Sequence, residues 1–433
     1  MNNLKWQQIF PNLFIVSDDY DEVVYSPLLG KFFYVSCDGI KLINDFLDIG
    51  KPENHEFYQY LLENNFFQEV ELPREAKKES FGGKDLTISI TSACNLRCIY
   101  CYARAGNDFK DLPWKYIEIS IRKMIDSAQR KGEREVELSF HGTGESIVRW
   151  DTMVKTVNFL LKEKPVDWKA NFHLVTNGTL IDDEKASFLA KHNFSVVLSF
   201  DGTADIQNIL RPKADGTGSF DDAINGAKSL VRFSVPFTMR STITGLNQDE
   251  MLDFLELCAS IGCKEISVAP FSLTGRGESG VPDINAEKFV THYIACKKRA
   301  RELNVSFSMP SDHLDNASAR YCGADGETFA VMPDGSISCC TRVTHRDDVL
   351  GEVFFVGDIT DSGIEIQQEK IRKLQSFNMY HFPECQGCFA KFTCGGGCHH
   401  TRLISGNKQP ENYCEIMRGV LWNTLRDAAL NPE

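Results

Sequence analysis

Three cysteines stand close together in the run Thr91-Ser92-Ala93-Cys94-Asn95-Leu96-Arg97-Cys98-Ile99-Tyr100-Cys101-Tyr102. Thiolates spaced Cys-x3-Cys-x2-Cys on one loop can hold three irons of a cubane cluster and leave the fourth iron without a protein ligand. A zinc site normally closes with four ligands, and no His or fourth Cys lies nearby in the sequence. Three unrelated thiols or a zinc half-site are the alternatives. Seven more thiols, Cys322, Cys340, Cys385, Cys388, Cys394, Cys398 and Cys414, fall in the C-terminal segment. They are enough for most ligands of two further cubane clusters; a zinc ribbon is the alternative, since paired Cys-x2-Cys is common there. Cys339 adjoins Cys340 and reads as a spare, because adjacent residues seldom both reach one site. Cys37, Cys258, Cys263 and Cys296 have no motif around them and read as small buried hydrophobes.

The whole chain has 15 cysteines, an odd number that excludes complete intramolecular pairing. The start, MNNLKWQQIFPNLF, lacks the basic n-region and apolar run of a signal peptide. No stretch approaches about 18 uninterrupted apolar residues, so no membrane span is expected. These features suit a cytoplasmic protein, where thiols stay reduced and clustered cysteines serve metals or catalysis. Of the 433 residues, 42% are hydrophobic and 25% charged, which is ordinary globular material. With 47 Lys+Arg against 60 Asp+Glu the formal charge is −13, a poor balance for a general nucleic-acid binder.

The elements that must position these thiols follow from periodicity. Residues 1–70 read as a small α+β module. Glu22–Pro27 and Lys31–Ser36 are its strands. Ile40, Leu42, Ile43, Phe46 and Leu47 recur at helical spacing, as do Phe57, Tyr58, Leu61, Leu62 and Phe66. Residues 71–84 are charged, end in Gly-Gly and read as a linker. Over 85–309, six strands alternate with helices: Leu86–Ile90 with Trp114–Lys131, Val136–Phe140 with Trp150–Lys164, and Phe172–Val175 with a helix from near Asp182. Then come Val196–Phe200 with Phe220–Phe233, Phe237–Ile243 with Gln248–Ile261, and Ile266–Pro270 with Ala286–Asn304. Such alternation predicts parallel strands under outer helices, an α/β partial (β/α)6 barrel. Chemistry in such folds gathers at the C-terminal ends of the strands, where the three-cysteine loop falls. The alternation is lost over 310–433.

The three-cysteine loop resembles that of the radical S-adenosylmethionine (radical SAM) superfamily. The resemblance implies that Cys94, Cys98 and Cys101 hold a [4Fe-4S] cluster whose open iron is chelated by S-adenosylmethionine. It further implies formation of a 5′-deoxyadenosyl radical that abstracts a hydrogen atom, and that Tyr100 contacts the adenine. Later motifs match in order. His141-Gly142-Thr143-Gly144-Glu145 is similar to the family's Gly-Gly-Glu-Pro motif, with Ser146 in place of proline and one extra residue. Its glycines let backbone approach the cofactor's amino group closely. Thr176 and Asn177 end the third strand. Ser199 and Arg211, twelve residues apart, would bind the cofactor's carboxylate. Arg240, on the fifth strand, suits a cofactor contact or an ordinary salt bridge equally.

The C-terminal spacing, Cys-x12-Gly-x4-Cys through Gly335 and then Cys-x2-Cys-x5-Cys-x3-Cys, resembles the SPASM extension of radical SAM enzymes. By that resemblance Cys385, Cys388, Cys394 and Cys414 hold one auxiliary [4Fe-4S] cluster. Cys322, Cys340 and Cys398 hold the other, giving three clusters in all. Residues 323–334 contain no cysteine, so this last cluster is one local ligand short.

SPASM proteins mostly modify peptides, and the resemblance implies an oxidoreductase that matures a ribosomally synthesised and post-translationally modified peptide (RiPP). Crosslinking or a related oxidative change is expected, with electrons from a flavodoxin or ferredoxin. Module 1–70 is loosely similar to a winged-helix-like peptide-recognition element. Such an element captures a precursor's leader by strand addition, raising the effective concentration of its core segment; a structural cap on the barrel is the alternative. An anaerobic sulfatase-maturing enzyme is a second reading. In that family an Asp acting as base follows the second SPASM cysteine, and here the position is Thr341; the next candidates for a base are Asp325 and Glu327. A non-catalytic electron carrier or zinc scaffold is a third.

Overall fold

The computed structural model describes residues 3–73, 83–107, 109–310, 312, 314 and 317–430. Most of the predicted linker, residues 74–82, lies outside them.

Four strands open the chain, where periodicity predicted two: β1 (Lys5–Phe10), β2 (Leu13–Ser17), β3 (Glu22–Ser26) and β4 (Lys31–Tyr34). They form an antiparallel sheet in that order. Of the missed strands, β1 is a polar, largely exposed edge strand with little apolar signal, and β2 is covered on both faces. Ile9, Leu13, Ile15 and Val24 face helices Cys37–Asp48 and Glu56–Glu63. Phe14, Val16, Val23 and Tyr25 face the chain's last helix, Glu411–Leu430, through Leu421, Trp422 and Leu425. A strand buried on both sides reads as a continuous apolar run.

Six parallel strands follow: β5 (Asp85–Ile88), β6 (Glu135–Phe140), β7 (Lys169–Thr176), β8 (Phe194–Ser199), β9 (Phe237–Ile243) and β10 (Glu265–Pro270). Their inner apolar positions make one core with the outer helices, the partial (β/α)6 barrel expected from the alternation. Helix starts are set by side-chain caps: Asp182 accepts from the Lys185 amide and Asn285 from the Lys288 amide.

The sheet does not stop at the barrel. A short β11 (Ser306–Ser308) adds to β10, and β12 (Ala330–Val331) adds parallel to β5. Then β13 (Ser336–Ser338), β14 (Phe355–Thr360) and β15 (Gly363–Ile366) continue antiparallel. One eleven-stranded sheet therefore runs β11-β10-β9-β8-β7-β6-β5-β12-β13-β14-β15. This joins the C-terminal cysteine segment to the strand that carries the three-cysteine loop. The turn between β12 and β13 is Pro333-Asp334-Gly335, whose Asp334 carboxylate accepts from the Ser336 amide at 3.0 Å.

Candidate functional site

The loop after β5 leaves the C-terminal edge of the barrel and is held from several sides. Arg97 donates to the carbonyls of Cys94 (2.8 Å), Leu96 (2.9 Å) and Gly106 (2.8 Å). Arg276, from the segment after β10, donates to the carbonyls of Cys98 (2.9 Å) and Ala105 (3.0 Å). Two glycines allow neighbouring backbone in. A Cβ at Gly144 would lie 2.4 Å from the Ala93 carbonyl oxygen, and one at Gly275, which has φ +59°, 2.5 Å from that of Cys101. Arg276 and its flanking glycines were not singled out from the sequence; the Gly275-Arg276-Gly277 run was the available signal.

The loops after β6 and β7 lock onto this one. The Glu145 amide donates to Ala93 O at 2.9 Å. The Glu145 carboxylate, 3% exposed, accepts from Thr176 Oγ1 (2.8 Å), the Asn177 amide (2.8 Å) and the Ile147 amide (3.2 Å). Asn177 Nδ2 donates to Asn95 Oδ1 at 3.0 Å, and Asn95 Nδ2 to Thr179 Oγ1 at 2.7 Å. Glu145, Thr176 and Asn177 thus meet around the cysteine loop. Ser146, in the proline position, opens a short 3-10 turn that Glu145 caps. Tyr102 Oη lies 3.1 Å from His141 Nε2 and 3.2 Å from Gly142 O. Burial, and then the Arg240 charge, pull His141 down to about 4, so its imidazole is neutral.

Arg211 ends the helix Ala204–Leu210 and is paired with the fully buried Asp201: Nε donates to Oδ2 at 2.8 Å and Nη2 to Oδ1 at 3.3 Å. Tyr100 Oη also donates to Asp201, and the Arg211 guanidinium lies 5.3 Å from the Tyr100 ring centre. Asp201 was the unrecognised hub here, legible only as the Asp of Ser199-Phe200-Asp201-Gly202. Ser199 pairs in register with Arg240 on β9. Arg240 reaches a chamber of about 150 Å³, also lined by Phe271, Tyr321, Arg342, Cys398 and Tyr413. Barrel and C-terminal segment share this chamber.

The cysteines of the two segments fall into three neighbourhoods. Burial pushes Cys94 up to about 12, and the Glu145, Cys98 and Cys101 charges add to it. Burial likewise raises Cys340 to about 12, and the Cys398 and Cys322 charges add to it, while Cys322 itself is exposed. Cys385, Cys388, Cys394 and Cys414 line one cavity of about 100 Å³, with Arg402 and Arg418 at its wall. Burial raises Cys385 to about 12 and Cys414 to about 11. Buried thiols that resist ionisation alone become thiolates when a cation takes them as ligands. Among the described residues, no three His, Cys, Asp or Glu side chains close around a single metal ion. A tetrahedral zinc would set its sulfurs about 3.8 Å apart. Thiols arranged around a cavity suit a larger cluster, and the donor set is the all-cysteine one of iron–sulfur sites. Of the remaining cysteines, Cys258, Cys263, Cys296 and Cys339 are buried, while Cys37 is exposed, contrary to the sequence reading. It is the first residue of its helix and its side chain is not needed in the core.

Residues 88–258 match the model of the Radical SAM superfamily, and this part of the chain is a radical SAM domain. An uncharacterized protein of Methanocaldococcus jannaschii is 28% identical over 186 residues; the match covers 43% of this chain and 62% of that protein, under two thirds of it. A serine-type anaerobic sulfatase-maturating enzyme of Klebsiella aerogenes is 22% identical over 349 residues, 77% of this chain and 84% of the enzyme. The solved structure of Streptococcus suis SuiB bound to S-adenosylmethionine has a TM-score of 0.54 at 16% identity, covering 94% of this chain and 99% of that one. SuiB bound to its precursor peptide SuiA gives 0.52 at the same identity, covering 94% and 98%. These likenesses to SuiB are of fold. No helix among the described residues is long and apolar enough to cross a membrane.

Proposed function

We propose that the chain is a radical SAM/SPASM peptide maturase with three [4Fe-4S] clusters, held by Cys94/Cys98/Cys101, by Cys322/Cys340/Cys398 and by Cys385/Cys388/Cys394/Cys414. The observation that carries this reading is the shared chamber. Arg240 of the barrel and Cys398 of the C-terminal segment line one space beside β9 and β10. When bound, S-adenosylmethionine and its cluster supply a 5′-deoxyadenosyl radical that takes a hydrogen atom from the substrate. The chain's own part is position and exclusion of water. Arg97 and Arg276 fix the carbonyls of the cysteine loop. Glu145, Thr176 and Asn177 fix the loops around it, with Gly142 and Gly144 giving close backbone approach. Tyr100 is held by Asp201 and Arg211 against the adenine position. In this reading Ser199, Arg211 and Arg240 would serve the cofactor's carboxylate, with Ser199 and Arg240 neighbours across β8 and β9 and Arg211 steadied by Asp201.

The substrate in this reading is a ribosomally made precursor peptide, crosslinked or otherwise oxidised beside the chamber. That SuiB carries a precursor peptide in its structure supports the class. The leader would bind module 1–70 by strand addition at β1 or β4, the two edges of its sheet. A cytoplasmic flavodoxin or ferredoxin would supply electrons. The sulfatase-maturating relative favours a second reading, in which a Ser or Cys of a sulfatase is oxidised. Thr341 stands against it, since a hydroxyl is a poor base at neutral pH.

The test is anaerobic reconstitution followed by turnover with reductant and S-adenosylmethionine. About twelve irons per chain and release of 5′-deoxyadenosine are expected. Zinc alone in the sites, or no 5′-deoxyadenosine, sinks the proposal. Co-expression with short peptides encoded beside the gene should give a mass shift in one of them. A shift in a neighbouring sulfatase instead selects the second reading.

A further inference from the structure

The set Cys322, Cys340 and Cys398 offers three thiols where a closed cubane takes four ligands. Elsewhere the chain solves local ligation with Cys-x2-Cys pairs, at Cys98–Cys101 and at Cys385–Cys388. After Cys322 the sequence runs Gly323-Ala324-Asp325, so a carboxylate stands where the second cysteine of such a pair would. The segment is a turn in which the amides of Glu327 and Thr328 both donate to Gly323 O, at 3.1 and 2.8 Å. The turn closes one residue after Cys322, so Cys322 and Asp325 stand three positions apart along one tight bend.

Asp325 is fully buried, at 0% exposure. Its Oδ2 accepts from Arg320 Nη1 at 2.7 Å, and Arg320 is held in turn by Glu327 at 3.0 Å. Its Oδ1 is buried and accepts no hydrogen bond. A salt bridge to Arg320 alone leaves that oxygen unexplained, because an unsatisfied buried acceptor is costly. Carboxylates that ligate metals are themselves hydrogen-bonded from the outer shell, which is the place Arg320 occupies.

We infer that Asp325 Oδ1 is the fourth protein ligand of the iron–sulfur cluster held by Cys322, Cys340 and Cys398. This rests on the three-cluster reading above. His399 is the rival: it is 1% exposed and neither ring nitrogen has a partner. It follows Cys398 directly at the start of the helix His399–Ile404, where successive side chains diverge by about 100°. Its ring packs against Phe377, with centres 6.0 Å apart. The three-residue spacing and the single free oxygen favour Asp325.

The test uses the full chain with Cys94→Ala, Cys98→Ala and Cys101→Ala, reconstituted anaerobically, so that only the C-terminal clusters contribute. Iron content and electron paramagnetic resonance are compared after adding Cys322→Ala, Asp325→Asn, Asp325→Cys or His399→Ala. Cys322→Ala should remove about half of the remaining iron. Asp325→Asn should keep iron while reduced, yet give a several-fold larger [3Fe-4S] signal on mild oxidation. Asp325→Cys should keep iron, suppress that signal and change the g values of the same cluster. This variant decides the matter where Asp325→Asn fails to fold. Spectra of both Asp325 variants that superimpose on the parent overturn the inference, as does a shift seen only with His399→Ala. If Cys322→Ala leaves iron and spectra unchanged, the three-cluster reading fails and takes the inference with it.

Discussion

Cys94, Cys98 and Cys101 fall within eight residues of chain, whereas Cys322, Cys340 and Cys398 are drawn from a span of 77. The first group sits on a loop that the barrel has already fixed. Arg97, Arg276 and the Asn95–Asn177 bond hold its backbone without any help from a metal. Around the C-terminal cysteines the elements are short: Pro383–Gln386 and Lys391–Cys394 have four residues each. Helices of that length have no stability of their own in water. The comparison teaches that one site is built by the protein and then takes its cluster. On the three-cluster reading the other relies on its clusters to hold its short elements together.

That contrast can be broken most directly at the cysteines. Cys94→Ala with Cys98→Ala and Cys101→Ala should bring 5′-deoxyadenosine formation to background, measured by chromatography. About four irons should be lost, while far-ultraviolet circular dichroism and the melting temperature stay near the parent values. Loss of fold in this variant would refute a barrel-built loop. Removing iron with a chelator should next separate the two regions by amide hydrogen exchange. Protection should fall over residues 379–414 and persist in β5–β10. Equal loss in both would erase the distinction.

Smaller effects sharpen it. Glu145→Gln replaces a buried acceptor of three hydrogen bonds with a group that must present an amine to one donor. Destabilisation of about 2 kcal/mol is expected in urea unfolding, with weaker S-adenosylmethionine binding by calorimetry. Arg97→Lys keeps the charge and loses the fork that spans Cys94 O and Gly106 O. It should cost about 1 kcal/mol and several-fold in 5′-deoxyadenosine rate, leaving C-terminal iron intact. Least of all, Cys258→Ala should cost about 1 kcal/mol and leave total iron unchanged, because that thiol is core and not ligand.

What could be read ahead of the structure follows the same division. The six strand–helix units announce themselves because each strand is short and apolar and each helix has one apolar stripe. The three cysteines after β5 are legible because their spacing is local. The strand β2 was not, since Leu13, Phe14, Ile15 and Val16 are buried on both faces and show no alternation, nor was β1, whose Lys5, Gln7 and Gln8 are exposed and polar. Nor was the extension of the barrel sheet through β12, which is two residues long and exists only by pairing with β5. The pairing of Arg211 with Asp201 is a tertiary choice between partners, and spacing alone does not make it.

The contact between the first sheet and the last helix has a consequence for biosynthesis. Phe14, Val16, Val23 and Tyr25 are covered by Leu421, Trp422 and Leu425, and Trp6 Nε1 donates to Gly387 O beside Cys388. About 400 residues separate the two sides of this contact, so at about 5–20 residues per second the ribosome needs roughly 20–80 s to bring them together. During that interval one face of the N-terminal sheet is bare and sticky. Its natural protectors are chaperones, and its completion waits for the same segment that, on the three-cluster reading, collects iron. A cell short of iron would therefore accumulate chains with an uncovered amino-terminal sheet, open to proteases at both ends of the sequence.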